Sequence, residues 1–154
     1  MMAPSMRRSR RILVIAAAVV AFVLVSAALA RVLSANGAER AAIEDVLEAQ
    51  ARGDAAALVA RIDGCAEDAA CRATAERNAA QLRSAGEVDV VRLDPSTNFA
   101  PTGSTGTARV VWKTPTRLTV VQCARVRRGG DLLGGFEVRV EALSRPIERE
   151  SSCP

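Results

Sequence analysis

The chain has 154 residues with 21 basic and 17 acidic side chains, no histidine, no tyrosine and a single lysine, Lys113. The lack of histidine excludes histidine-dependent catalysis and histidine-containing zinc sites, and the four cysteines lack the close pairs of a zinc ribbon. Arg7, Arg8, Arg10 and Arg11 account for the whole net charge of +4; the rest balances 17 basic against 17 acidic groups and has no basic footprint for nucleic acid.

In chain order, residues 1–11 form a basic stub and residues 12–33 an apolar segment. Ile12 to Ala30 is uncharged over 19 residues. As a helix it measures about 28 Å, close to the roughly 30 Å hydrocarbon core of a bilayer. Its eleven Ile, Leu, Val and Phe residues favour insertion by roughly 5 kcal/mol. The preceding arginines are expected to stay in the cytoplasm, so the remainder of the chain lies on the far side of the cell membrane. Two readings of the segment stand. The small residues Ala28 and Ala30 suit cleavage by a signal peptidase after Ala30, giving a secreted domain. The apolar run is longer than a usual signal core and favours an uncleaved single-pass anchor. Arg10-Arg11 resembles a twin-arginine signal, although such pairs are common in basic leaders. The richness in alanine and arginine is a bacterial style of composition.

Residues 34–37, Ser-Ala-Asn-Gly, read as a polar hinge, and residues 38–154 as one extracytoplasmic domain. This length suffices for one core. Ile43, Val46, Leu47 and Gln50 recur at helical spacing and predict an amphipathic helix over about 38–52, stopped by Gly53. Asp54 caps a second helix carrying Leu58, Val59 and Ile62, which ends at Gly64. A third, alanine-faced helix is expected over about 68–84. Gly86 marks the change to an alternating pattern.

Four strands follow. Val88 and Val90 begin the first, and the second covers about 107–114 with Ala108, Val110 and Trp112 on one face. The third, about 117–127, turns Leu118, Val120, Gln122, Ala124 and Val126 to that face. The last, about 135–143, adds Phe136, Val138, Val140 and Ala142. The expected fold class is α+β: about three helices covering the apolar face of an antiparallel sheet.

All four cysteines follow the apolar segment, which predicts two disulfides in an oxidising compartment. Of the three pairings, the sequence neighbours Cys65–Cys71 and Cys123–Cys153 are preferred. The second places Cys123 on the solvent face and ties the C-terminal tail to the sheet exterior. Neither pair has the Cys-x-x-Cys spacing of a redox centre.

Three helices with Ala-x-x-Asp/Glu-x-x-Leu spacing, a Gly53-Asp54 break followed by Leu58, and then consecutive antiparallel strands resemble the nuclear transport factor 2-like superfamily over about residues 38–143. The resemblance implies a curved sheet wrapped around helices as a cone, in enzymes such as polyketide cyclases, in ligand binders and in membrane-anchored bacterial proteins. Enzymes of this kind place histidine, aspartate or tyrosine inside the cone. Here the inward positions are apolar except Gln122, and a neutral amide is no general base.

The candidate ligand contacts are Gln122 and Trp112 inside, with Asn98 and Phe99 in the aperiodic segment 94–106. Asp89 is the best remaining acid or base, set against a plain solvated strand-edge role. The glycines of Arg128-Gly129-Gly130-Asp131 read as a hairpin turn. No catalytic residue, metal site or cofactor is assigned. The expected function is an anchored interaction or ligand-binding module of the bacterial cell envelope, contacting the membrane through Ile12 to Ala30 and a protein partner or small apolar ligand through the domain. The alternatives are a small polyketide-cyclase-type enzyme using an acidic residue, and a purely structural envelope component.

Overall fold

The computed structural model describes residues 5–94, 104–129, 137–148 and 153. Helix α1, Ser5–Arg52, is continuous, so residues 34–37, read from sequence as a hinge, are helical. The chain divides into two compact units, 1–35 and 36–154. In the first, the described apolar side chains are solvent-facing, Phe22 at 73% and Leu13 at 68%. Among the described residues no helix is long and apolar enough to cross a membrane.

The second unit is α+β, with the C-terminal part of α1, helices α2 (Ala55–Arg61) and α3 (Ala69–Leu82), and strands β1 (Asp89–Asp94), β2 (Ser104–Thr114), β3 (Arg117–Gly129) and β4 (Glu137–Leu143). Local chemistry sets the helix ends. Gly53 takes φ +75°, its N–H bonds the Gln50 carbonyl and the Asp54 N–H bonds that of Ala49. This is the Schellman pattern that closes a helix. Asp54 then accepts from the Ala57 N–H and caps α2, while Asp68 accepts from Ala70 and Cys71 and caps α3. The Cys65–Cys71 disulfide spans that turn.

The strands form one antiparallel sheet in the order β1-β2-β3-β4. Facing pairs Ala108–Ala124, Val110–Gln122 and Trp112–Val120 set the inner register. The core joins this face to Ile43, Val46 and Leu47 of α1, Leu58 of α2 and Ala75, Ala79 and Leu82 of α3. Past α2, Ile62 makes a parallel bridge to Val140, and the Asp63 N–H bonds the Val140 carbonyl.

Two inward assignments from the alternating pattern are corrected. Leu118 is 86% exposed, because a register shift opposite Trp112/Thr114 puts an extra residue into β3 between Arg117 and Val120 and reverses its parity. In β4, a register shift opposite Arg125/Val126 makes Leu143 the buried residue and leaves Ala142 half-buried. One extra residue in a strand reverses the parity of all that follow it. Phe136 lies outside the described residues.

Candidate functional site

Trp112 and Gln122, from neighbouring strands, are both completely buried and meet inside the domain. The Trp112 indole Nε1 donates to Gln122 Oε1 at 2.8 Å. The same oxygen accepts from Gln50 Nε2 of α1 at 3.0 Å, and Gln122 Nε2 donates back to Gln50 Oε1 at 3.1 Å. The second hydrogen of Gln122 goes to the Ser144 carbonyl at 2.8 Å, which also accepts from Asn78 Nδ2 of α3 at 3.0 Å. A side-chain amide offers two donors and an acceptor oxygen with two lone pairs, so Gln122 is fully satisfied. Its partners fix which end of the amide is oxygen: reversing it would aim N–H groups at the indole N–H. The amide pair thus joins α1, α3, β2, β3 and the end of β4 at one point.

A second buried polar contact lies at the other end of the inner face. Arg128 of β3 donates to Glu39 of α1, and both side chains are buried. Glu39 Oε1 has no hydrogen-bond partner. Sequence reading missed this pair and Asn78. The signal was present: Glu39 precedes Ile43 by one helical turn, and Arg128 continues the inward alternation Gln122, Ala124, Val126.

A half-open groove of about 310 Å³ lies where α2 and α3 face β4. Leu58, Ile62, Ala75 and Leu143 supply its apolar wall, and Asn78, Arg125 and Glu141 its polar groups. Asn78 is 1% exposed, and its Oδ1 has no hydrogen-bond partner.

On the opposite face of the sheet, Arg127 pairs with Asp63 and Glu141, and Arg139 with Glu137 and Asp63. The Glu137 hydrogen bond, then the charges of Glu137 and Asp63, raise the Arg139 pKa above its ordinary value. Two residues on this face are nonetheless buried. Val121 and Cys123 lie beside the chain after β4, whose Ser144 and Ile147 N–H groups bond the Cys123 and Val121 carbonyls. Cys123 is disulfide-bonded to Cys153. Both disulfides therefore have the sequence-neighbour pairing.

Of the remaining candidates, Asn98 and Phe99 lie outside the described residues. Asp89 is exposed and pairs with Lys113 at 3.4 Å. No cluster of metal-ligating side chains occurs among the described residues. Compared with family models, curated proteins and solved structures, the chain gives no match.

Proposed function

We propose that this chain is a membrane-anchored binding module on the outer side of a bacterial cell membrane, acting without catalysis and built on a cone of the nuclear transport factor 2-like kind. The observation that carries the reading is the filled, hydrogen-bonded cluster of Trp112 and Gln122 at the centre of the domain. Trp112 fills that centre, and Gln122, the polar group best placed to meet a substrate there, has every hydrogen-bonding position occupied. The charged groups buried in the described domain, Glu39 and Arg128, are bound to each other. Such an interior serves stability, and recognition passes to grooves and loops at the surface.

The anchor is proposed from sequence: an uncharged run from Ile12 to Ala30 behind four arginines. The solvent-facing side chains from Ile12 to Ala27 form an apolar surface of the kind that a membrane or partner covers. The disulfides fit an oxidising compartment.

Photo-crosslinking in intact cells tests the module against a purely structural envelope component. Two chains are compared, the natural one and one in which Ile12 to Ala30 is exchanged for an unrelated apolar span of equal length. The expected outcome is the same crosslinked partners from both chains, attached through the 36–154 unit. Partners that follow the exchanged span, with none on the domain, overturn the proposal.

A further inference from the structure

We infer that α1 contains a hinge at Asn36-Gly37: the helix is closed there in this structure and opens to let the binding module turn on its anchor. The inference rests on the anchored-module reading proposed above, because the anchor is what the hinge turns against. Three observations point to these two residues.

The first is composition. Gly37 is the only glycine of the 48-residue helix, and Asn36 is its only asparagine. Glycine populates a helix about fivefold less readily than alanine, and asparagine also ranks low. Gly37 is exposed, and a Cβ built there would meet no heavy atom within 4 Å. No packing at that point offsets the weakness.

The second is a clamp directly C-terminal to the weak pair. Glu39 is buried and accepts from Arg128 of β3, and Arg40 Nη2 donates to the Val90 carbonyl of β1 at 2.9 Å. One turn further on, Ile43 enters the core. From Glu39 onward α1 is therefore tied to two strands. The buried charge pair resists separation, since each charge would be left without its partner. A bend does not spread in this direction.

The third is the boundary on the other side. The division between the two compact units falls between Ala35 and Asn36. Under the anchored reading Ile12 to Ala30 crosses the bilayer, where an opened helix would leave N–H and C=O groups with no water to bond. Opening is thus confined to the few residues between bilayer and clamp, and among them Gly37 has the widest choice of φ and ψ. Short stretches that absorb a large dihedral change are what hinges consist of.

The test is a spin-label distance measurement across the hinge, on the full chain in lipid nanodiscs. All four natural cysteines are in disulfides, so labels attach only at two introduced ones, Leu29→Cys and Glu48→Cys, both at exposed positions of α1. Nineteen residues separate them (48 minus 29), about 28 Å along a straight helix. The expected result is a broad distribution reaching several ångströms below that distance, narrowed to the straight-helix value by Gly37→Ala. Hydrogen exchange gives a second readout: the amides of residues 39–41, whose helical bonds span the hinge, should exchange about fivefold more slowly in Gly37→Ala. Unchanged exchange at residues 44–50 will report that the variant domain is folded. A narrow distribution at the straight-helix distance without the alanine, an equally broad one with it, or undiminished exchange at residues 39–41 overturns the inference. None of these readouts involves a partner, so a failed hinge leaves the binding-module reading in place; failure of that reading is registered separately, by the crosslinks.

Discussion

Gln122 occupies an inward strand position that its neighbours fill with valine and alanine, and burial of an amide there is tolerable only because four hydrogen bonds, to Trp112, Gln50 and Ser144, satisfy it. Gln122→Leu keeps the volume and removes the partner of both the Trp112 N–H and the Gln50 amide. Each group left unsatisfied costs about 1–3 kcal/mol, so the variant should lose roughly 3 kcal/mol or more, read as a lower urea midpoint. The double variant Gln50→Leu/Gln122→Leu orphans the indole N–H alone and should be no less stable than Gln122→Leu. If the two losses simply add, the amide pair is not coupled as described. The inward direction of Gln122 was legible from strand alternation, and Gln50 stood in the apolar stripe of α1. Their pairing was not, because 72 residues separate them and periodicity carries no information about partners at that range. Glu39 and Arg128, 89 residues apart, were hidden for a further reason. Charged side chains are read as solvent-facing, and only the folded chain brings these two together away from water.

At the scale of elements, the β2–β3 hairpin tip holds the end of α3. That helix has no basic residue in its last turn, and Arg117 supplies the missing charge by donating to the Gln81 and Arg83 carbonyls. Thr116 Oγ1 donates to the Ala85 carbonyl and accepts from the Ala85 N–H. Between these contacts Gly86 takes φ +94°, and a Cβ there would stand 2.7 Å from Pro115 Cδ. Gly86→Ala therefore combines a left-handed backbone with a clash against a rigid ring. It should cost about 1–3 kcal/mol in urea unfolding, whereas Gly129→Ala, with open space around it, should cost under about 1 kcal/mol. A similar loss in both variants would refute the close-approach argument. The sequence was informative about Gly86 as a change of period and uninformative about Pro115 pressing on it. Strands were legible in number and order, but the shift opposite Arg125/Val126 was not, since a bulge inserts a residue without any change in composition.

For the molecule as a whole, compartment and covalent structure are linked through four arginines. Under the proposed topology, Arg7, Arg8, Arg10 and Arg11 hold the N-terminus in the cytoplasm and deliver Cys65, Cys71, Cys123 and Cys153 to the side where disulfides form. Orientation is set by the excess of Lys and Arg flanking the apolar segment, so replacing all four with asparagine and placing four arginines between Ser34 and Gly37 should invert the chain. Inversion leaves the domain in a reducing compartment. Its thiols then react with a maleimide polymer on denaturing gels, giving up to four increments of mass, while the natural chain gives none without reductant. The disulfides are worth about 2 and 4 kcal/mol in the chain-entropy model for loops spanning 6 and 30 residues, so the inverted domain should also be degraded faster. Intact mass of the natural protein separates anchor from signal peptide: retention of Met1 to Arg31 identifies the anchor, and an N-terminus at Arg31 identifies cleavage after Ala30. If the inverted chain remains fully oxidised, charge does not orient this segment, and the assignment of the domain to the outer side falls with it.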